Sequence, residues 1–155
     1  MPVSLQAELL QSKPFDSLEI EAVLSIARTA ALLEHGLAQA LKPYRLTPTQ
    51  YNVLRILRGG GPEGLCRNAI GERLVTPVPD VTRLLDRMEG SGLITRSRGT
   101  EDRRFMTTKI SQAGLELVAE LDGPMRLLAQ KQLGHLSKSA LRTLIETLTE
   151  ARQRA

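Results

Sequence analysis

One cysteine, Cys66, cannot form an internal disulfide and offers no thiolate metal cluster. A free cysteine of this kind is expected to be a small buried thiol. His35 and His135 are the only histidines, too few for a zinc site of grouped His, Cys and acidic ligands. No apolar run approaches the ~20 residues that cross a bilayer. The N-terminus has no basic stretch leading into an apolar one, so it does not read as a signal peptide. Phosphate-loop chemistry is missing too, because Gly59-Gly60-Gly61 is not followed by Lys-Ser/Thr, and there is no nucleophile elbow or suggestive acid pair. The expectation is a cytoplasmic protein that is not an enzyme and carries no cofactor or metal.

What is present is a chain of 155 residues, 41% hydrophobic and 25% charged, enough for one packed domain with helical extensions. The net charge of +4 is unevenly spread. Residues 1–41 hold two basic and five acidic side chains, whereas residues 42–109 hold thirteen and seven, and residues 110–155 hold six and five. The excess positive charge sits in the middle of the chain, as binding to a polyanion requires.

Helical periodicity dominates. From Phe15 to Leu41 one apolar row runs Ile20, Leu24, Ala27, Ala31, Ala38 and a second Val23, Ile26, Ala30, Leu33, Leu37, Leu41, a stripe too wide for a lone surface helix. Lys42-Pro43 ends it. Thr47-Pro48 reads as an N-cap followed by proline at the first helical position, and Gly59-Gly60-Gly61-Pro62 as the stop. A short helix is expected from about Leu65 to Leu74, a turn over residues 75–80, and a further helix closed by Gly90-Ser91-Gly92. Ser111 is expected to cap a long helix that Gly123-Pro124 kinks or interrupts, and Ser137 a last one.

The one clear strand signal is "ITRSRGTEDRRFMTTKIS", residues 94–111, where two alternating runs flank a polar tip of Gly99, Thr100, Glu101 and Asp102. Such a hairpin is marginal alone and must lean on the core through Ile94, Phe105 or Ile110. Three helices followed by a hairpin make a winged helix-turn-helix. The expected fold is thus mainly α with a small β-hairpin wing: a winged helix-turn-helix lobe at 44–110 and a helical dimerisation region at 15–43 and 111–155. Pairing with a second copy is the simplest way to cover the apolar surface of the terminal helices.

On a helical wheel over residues 79–90, Val81, Leu84, Leu85 and Met88 fall within about 100° of one another. Thr82, Arg83 and Asp86 point the opposite way, with Arg87 at the flank. Arg83 and Arg87 are one turn apart and can follow one groove, where arginine binds guanine through two hydrogen bonds and threonine meets a thymine methyl or a phosphate. The same face, with Asp80 and Asp86, could instead neutralise itself through pairs three and four apart. Pro77 and Pro79 restrict the entry turn, Thr76 is an alternative N-cap, and the helix N-terminus offers amides to phosphate. On the hairpin, Arg98, Arg103 and Arg104 suit a narrow minor groove. Asp102 is expected to orient Arg104 or, better, Arg83.

These residues resemble the MarR family of bacterial winged-helix transcription factors. The similarity lies in "LTPTQYNVLRIL" at 46–57, "PDVTRLLDRMEGSGLITR" at 79–96 and "DRRFMTTKISQAG" at 102–114, with the Asp-x-Arg and Ser-x-x-Gly pattern on Asp102, Arg104, Ser111 and Gly114. The resemblance implies a homodimer with two lobes on an inverted-repeat operator in double-stranded DNA, usually a repressor released by a small aromatic ligand or an oxidant. By matching position the ligand cleft would involve the first long helix, the Tyr51 helix and the start of the long helix after the hairpin, with His35, Tyr44 and Tyr51 as candidates. Oxidant-sensing members carry a reactive cysteine near the N-terminus, and this chain has none there. The competing reading is a winged helix used for protein contacts without DNA, which predicts a wing poor in basic residues.

Overall fold

The computed structural model describes residues 3–99 and 102–153. A single short turn, α1 (Leu5–Glu8), is capped by Ser4 and was not foreshadowed by periodicity. The first long helix, α2 (Leu18–Leu41), starts where the Ser17 hydroxyl accepts the Ile20 N–H at 3.3 Å. It tightens into a 3-10 turn over Lys42–Tyr44 at Pro43. Next comes α3 (Pro48–Gly59), whose Thr47 and Gln50 cap each other reciprocally, leaving two fewer orphan amides at its N-terminus.

The segment expected to be a helix from Leu65 begins instead as a strand. Leu65–Cys66 is β1, and α4 covers only Arg67–Arg73. The strand pairs Leu65 with Thr108 and Cys66 with Thr107, so the wing is a three-stranded antiparallel sheet in the order β1-β3-β2. Two residues are too few to show any period. The signal lies in Gly64, whose φ of +80 turns the chain alongside the sheet and whose missing Cβ avoids the Thr108 carbonyl.

The remaining elements are α5 (Val81–Gly90), β2 (Ile94–Arg98), β3 (Met106–Ile110), α6 (Gln112–Leu133) and α7 (Lys138–Gln153). Strands β2 and β3 pair from Ile94–Ile110 out to Arg98–Met106. The core gathers Leu54 and Leu57 of α3, Ile70 of α4, Leu85 and Met88 of α5, Ile94 of β2, and Val118 and Leu121 of α6. The wing is therefore anchored through Ile94, with Ile110 half-buried; Phe105 is 61% exposed and anchors nothing.

Gly123-Pro124 does not interrupt α6, which runs unbroken through it. Pro124 cannot donate to the Glu120 carbonyl one turn back, and both residues are exposed. Nearby, Arg58 grips Asp122 through two hydrogen bonds of 2.8 and 2.9 Å and ties α3 to α6. Across the terminal helices apolar side chains stay uncovered: Val23 of α2 is 64% exposed and Ile145 of α7 is 62%.

Candidate nucleic-acid interface

Helix α5 separates its faces as the wheel predicts, with Leu85 and Met88 buried and Thr82, Arg83, Asp86 and Arg87 exposed. Its N-cap is Asp80, not Thr76: the Asp80 carboxylate accepts the Arg83 N–H at 2.9 Å. That bond uses one amide a phosphate would otherwise meet, and its negative charge suits the helix dipole. Pro79 stands just outside the helix. Thr76 belongs to the preceding turn, which is held to α3 where Asn52 Oδ1 accepts the Val75 N–H at 2.8 Å.

The self-neutralising arrangement does not form. Asp86 turns to the wing, where its Oδ1 lies 2.6 Å from Arg96 Nη2, and the same nitrogen donates to Glu89 Oε1 at 2.9 Å. The Arg96 backbone N–H completes the clamp to Glu89 Oε2 at 3.1 Å. Arg96 holds the Glu89 carboxyl below the usual carboxylate range. Among the described residues, neither Arg83 nor Arg87 enters an ion pair. Of the four arginines in the hairpin region, Arg96 is thus spent on joining wing to helix, while Arg98, Arg103 and Arg104 are exposed. Arg96→Ala should cost about 1 kcal/mol of stability, since partly exposed ion pairs are modest. The accompanying loss of ordered wing resonances in NMR spectra checks it; an unchanged wing would mean the clamp is idle.

At the wing, Asp102 holds Arg104 and not Arg83. Arg104 donates through Nε at 3.1 Å, Nη2 at 3.0 Å and its backbone N–H at 3.0 Å. The local loop puts the two residues side by side, which the longer reach to α5 cannot match. The guanidinium, then the Arg104 amide, hold the Asp102 carboxyl below the ordinary 3.8. This grip is complete above that value and is lost only as pH falls through the lower folded one. The Arg104 side chain remains 87% exposed, so it is oriented yet available. Thr100 and Glu101, also assigned to the tip, lie outside the described residues.

A cavity of about 720 Å³ opens between α2, α3 and α6, lined by Leu33, Leu37, Tyr51, Arg55, Ile56, Met125 and Leu128, with Val75 and Thr76 at one side. Tyr51 lines it, and its hydroxyl is buried without a partner among the described residues. His35 and Tyr44, named as cleft candidates, do not line it, and α6 contributes its second half rather than its start. His35 is on the exposed side of α2, and Tyr44 belongs to the 3-10 turn beyond the end of that helix. Cys66 is exposed at the N-cap of α4, contrary to the buried thiol expected, because β1, which it ends, is an edge strand of the sheet.

Comparison with known proteins is consistent with this geometry. The MarR family model matches residues 46–105, from the cap of α3 to the wing. An organic hydroperoxide resistance transcriptional regulator of Bacillus subtilis (strain 168) is 32% identical over 141 residues, covering 86% of this chain and 95% of that protein. The chain belongs to the MarR family. A MarR transcription factor from Planctomyces limnophilus is 38% identical, with 88% of this chain and 98% of that one covered at a TM-score of 0.67. MepR of S. aureus, solved as a DNA complex, shares the fold at a TM-score of 0.78 and 21% identity, covering 86% of this chain and 97% of that one. Both the B. subtilis relative and the P. limnophilus relative are named as transcriptional regulators or factors, not enzymes. Within the MarR frame, the Ser-x-x-Gly pattern acquires a physical reason. Ser111 donates to the Gly92 carbonyl at 2.6 Å and accepts the Gly114 N–H at 3.0 Å, while a Cβ on Gly114 would run into the Leu93 carbonyl. Residues that sequence reasoning missed are Arg67 and Asn52, whose partners lie 15 and 23 residues away, and Glu89, whose partner Arg96 lies across the joint between α5 and the wing.

Proposed function

We propose that this MarR-family regulator works as a homodimer on double-stranded DNA, placing α5 of each protomer in a major groove and the wing in the adjacent minor groove of an inverted-repeat operator. The observation that carries the reading is the pair Arg83 and Arg87 on the outward face of α5, in no ion pair among the described residues, beside a wing that presents Arg98, Arg103 and an oriented Arg104. Thr82 and Pro79 complete the approach of the helix, and Asp80 holds its first turn. A wing used only for protein contacts has no need of three exposed guanidinium groups.

Dimerisation is supported by the uncovered apolar rows of α2 and α7, since surface such as Val23 and Ile145 is stabilised by burial at about 25 cal/mol per Å². Two-fold pairing then sets the half-sites roughly one helical turn, ~34 Å, apart. The cavity beside Tyr51 has the size and apolar lining suited to a small aromatic ligand, within the usual ~300–1,000 Å³. Because Val75 and Thr76 line it, a ligand there would press on the turn that feeds α5, the route by which a repressor in the cytoplasm would be released. A salt titration with random-sequence duplex tests the electrostatic part. The affinity should fall steeply as salt rises, with a log–log slope of about −0.9 per phosphate contacted. Absence of binding even at low salt would defeat the proposal.

A further inference from the structure

The groove between the start of α4 and the start of α5 contains an arginine that sequence reasoning did not assign. Arg67, the first residue of α4, donates from Nη1 to Thr82 Oγ1 at 3.0 Å. Both side chains are exposed, and a cleft of about 410 Å³ opens around them, bounded by Asn68, Glu72, Asp80 and Val81. A threonine hydroxyl has one proton to give and lone pairs to receive. With Arg67 donating to the oxygen, the hydroxyl's remaining capacity is biased toward giving its proton away. In a helix that proton commonly goes to the carbonyl one turn back. Here, among the described residues, no acceptor takes it.

We infer that Arg67 is a positioning residue for sequence reading: it fixes the Thr82 hydroxyl as a hydrogen-bond donor, so that this position of α5 selects a keto oxygen, guanine O6 or thymine O4, over the exocyclic amino group of adenine or cytosine on the major-groove edge. The inference rests on the proposed DNA-binding role and deepens it. Thr82 is the second residue of α5, and the N-terminal residues of a recognition helix are those that meet base edges. Guanine O6 and thymine O4 are the acceptors that differ between base pairs, whereas purine N7 is present in every pair and carries no preference, so 7-deazapurines serve as the control for it. An unclamped threonine could accept from an adenine or cytosine amino group equally well, so the clamp converts a permissive hydroxyl into a selective one. The other guanidinium N–H groups of Arg67 stay available to a phosphate, which adds affinity without adding preference.

The test uses the full chain and a duplex recovered by it from a random pool, with every single base-pair variant and 7-deazapurine substitutions across the half-site. Thr82→Val should lose roughly threefold to tenfold on the recovered duplex, the size of one hydrogen bond, and should lose preference at one base pair only. Arg67→Ala should erase that same preference and cause no further loss of it on the Thr82→Val background. Arg67→Lys, which keeps the charge without the planar fork, should restore affinity on all sequences but not the preference. Circular dichroism of each variant establishes that the fold is intact. If Arg67→Ala lowers affinity evenly and leaves the preference whole, or if Thr82→Val discriminates as the wild type does, the inference is overturned. If the wild-type chain binds no duplex at any salt, the proposed function fails first, and this inference with it.

Discussion

Gly114→Ala should lower stability by about 3 kcal/mol, near the upper end for forcing atoms into a packed interior. For a chain of this length that is a fall of roughly 6–12 °C in melting midpoint. Gly114 is buried in the first turn of α6, where an added Cβ would meet the Leu93 carbonyl and lie 2.8 Å from Ile110 Cγ1 and 3.3 Å from Leu54 Cδ2. The first obstacle is backbone, and the Ser111 N–H donates to that same Leu93 carbonyl at 3.0 Å, so the joint between wing and helix cannot simply rotate away. Gly59→Ala at the end of α3 is the control. Nothing lies within 4 Å of a Cβ at Gly59, and replacing a helical glycine there should be neutral or stabilise by up to about 1 kcal/mol. Equal melting of Gly114→Ala and the wild type would show that the Ser111–Gly114 joint yields easily.

The second large effect concerns the two arginines assigned to different grooves. Arg83→Ala should cost about 1–3 kcal/mol on the cognate duplex and relax the preference for its bases. Arg104→Ala should weaken binding more evenly across sequences, because an arginine in a narrow minor groove senses shape and potential. Asp102→Ala keeps the guanidinium but releases its two hydrogen bonds and that of the Arg104 amide, so it should weaken binding less than Arg104→Ala while changing the same property. Measured by fluorescence anisotropy on a panel of duplexes, the two arginine variants should separate into specific and non-specific loss. Wild-type affinity in both would remove the assigned docking mode, and wild-type affinity in Asp102→Ala would remove the orienting role.

Features with a local cause could be read directly from the chain. The caps at Thr47 and Ser111, the stop at Gly59 and the apolar face of α5 each follow from residues within one or two turns of one another. So does the hairpin, whose alternation appears on both arms. What escaped depends on partners far away. Strand β1 exists because Leu65 and Cys66 find the free edge of β3 forty residues later, and two residues cannot announce a period. Arg96 has no role legible in the chain alone, because its clamp to Asp86 and Glu89 forms only when the wing folds back on α5. Pro124 looked like a break, yet α6 runs through it at a position where Pro124 and Glu120 are both exposed, a tertiary circumstance the chain alone does not announce. The cavity lies between α2, α3 and the second half of α6 rather than its start, and His35 and Tyr44 do not line it, since which side chains reach a cavity depends on how the helices pack.

Selection of bound duplexes from a random pool, followed by footprinting of the winners, measures the central geometry most directly. Two protruding α5 helices on a two-fold dimer should enrich an inverted repeat whose half-sites are centred about 10–10.5 base pairs apart, with protection of the minor groove beside each half-site. Enrichment of a lone half-site with no repeat, or no sequence enrichment at all, would contradict it.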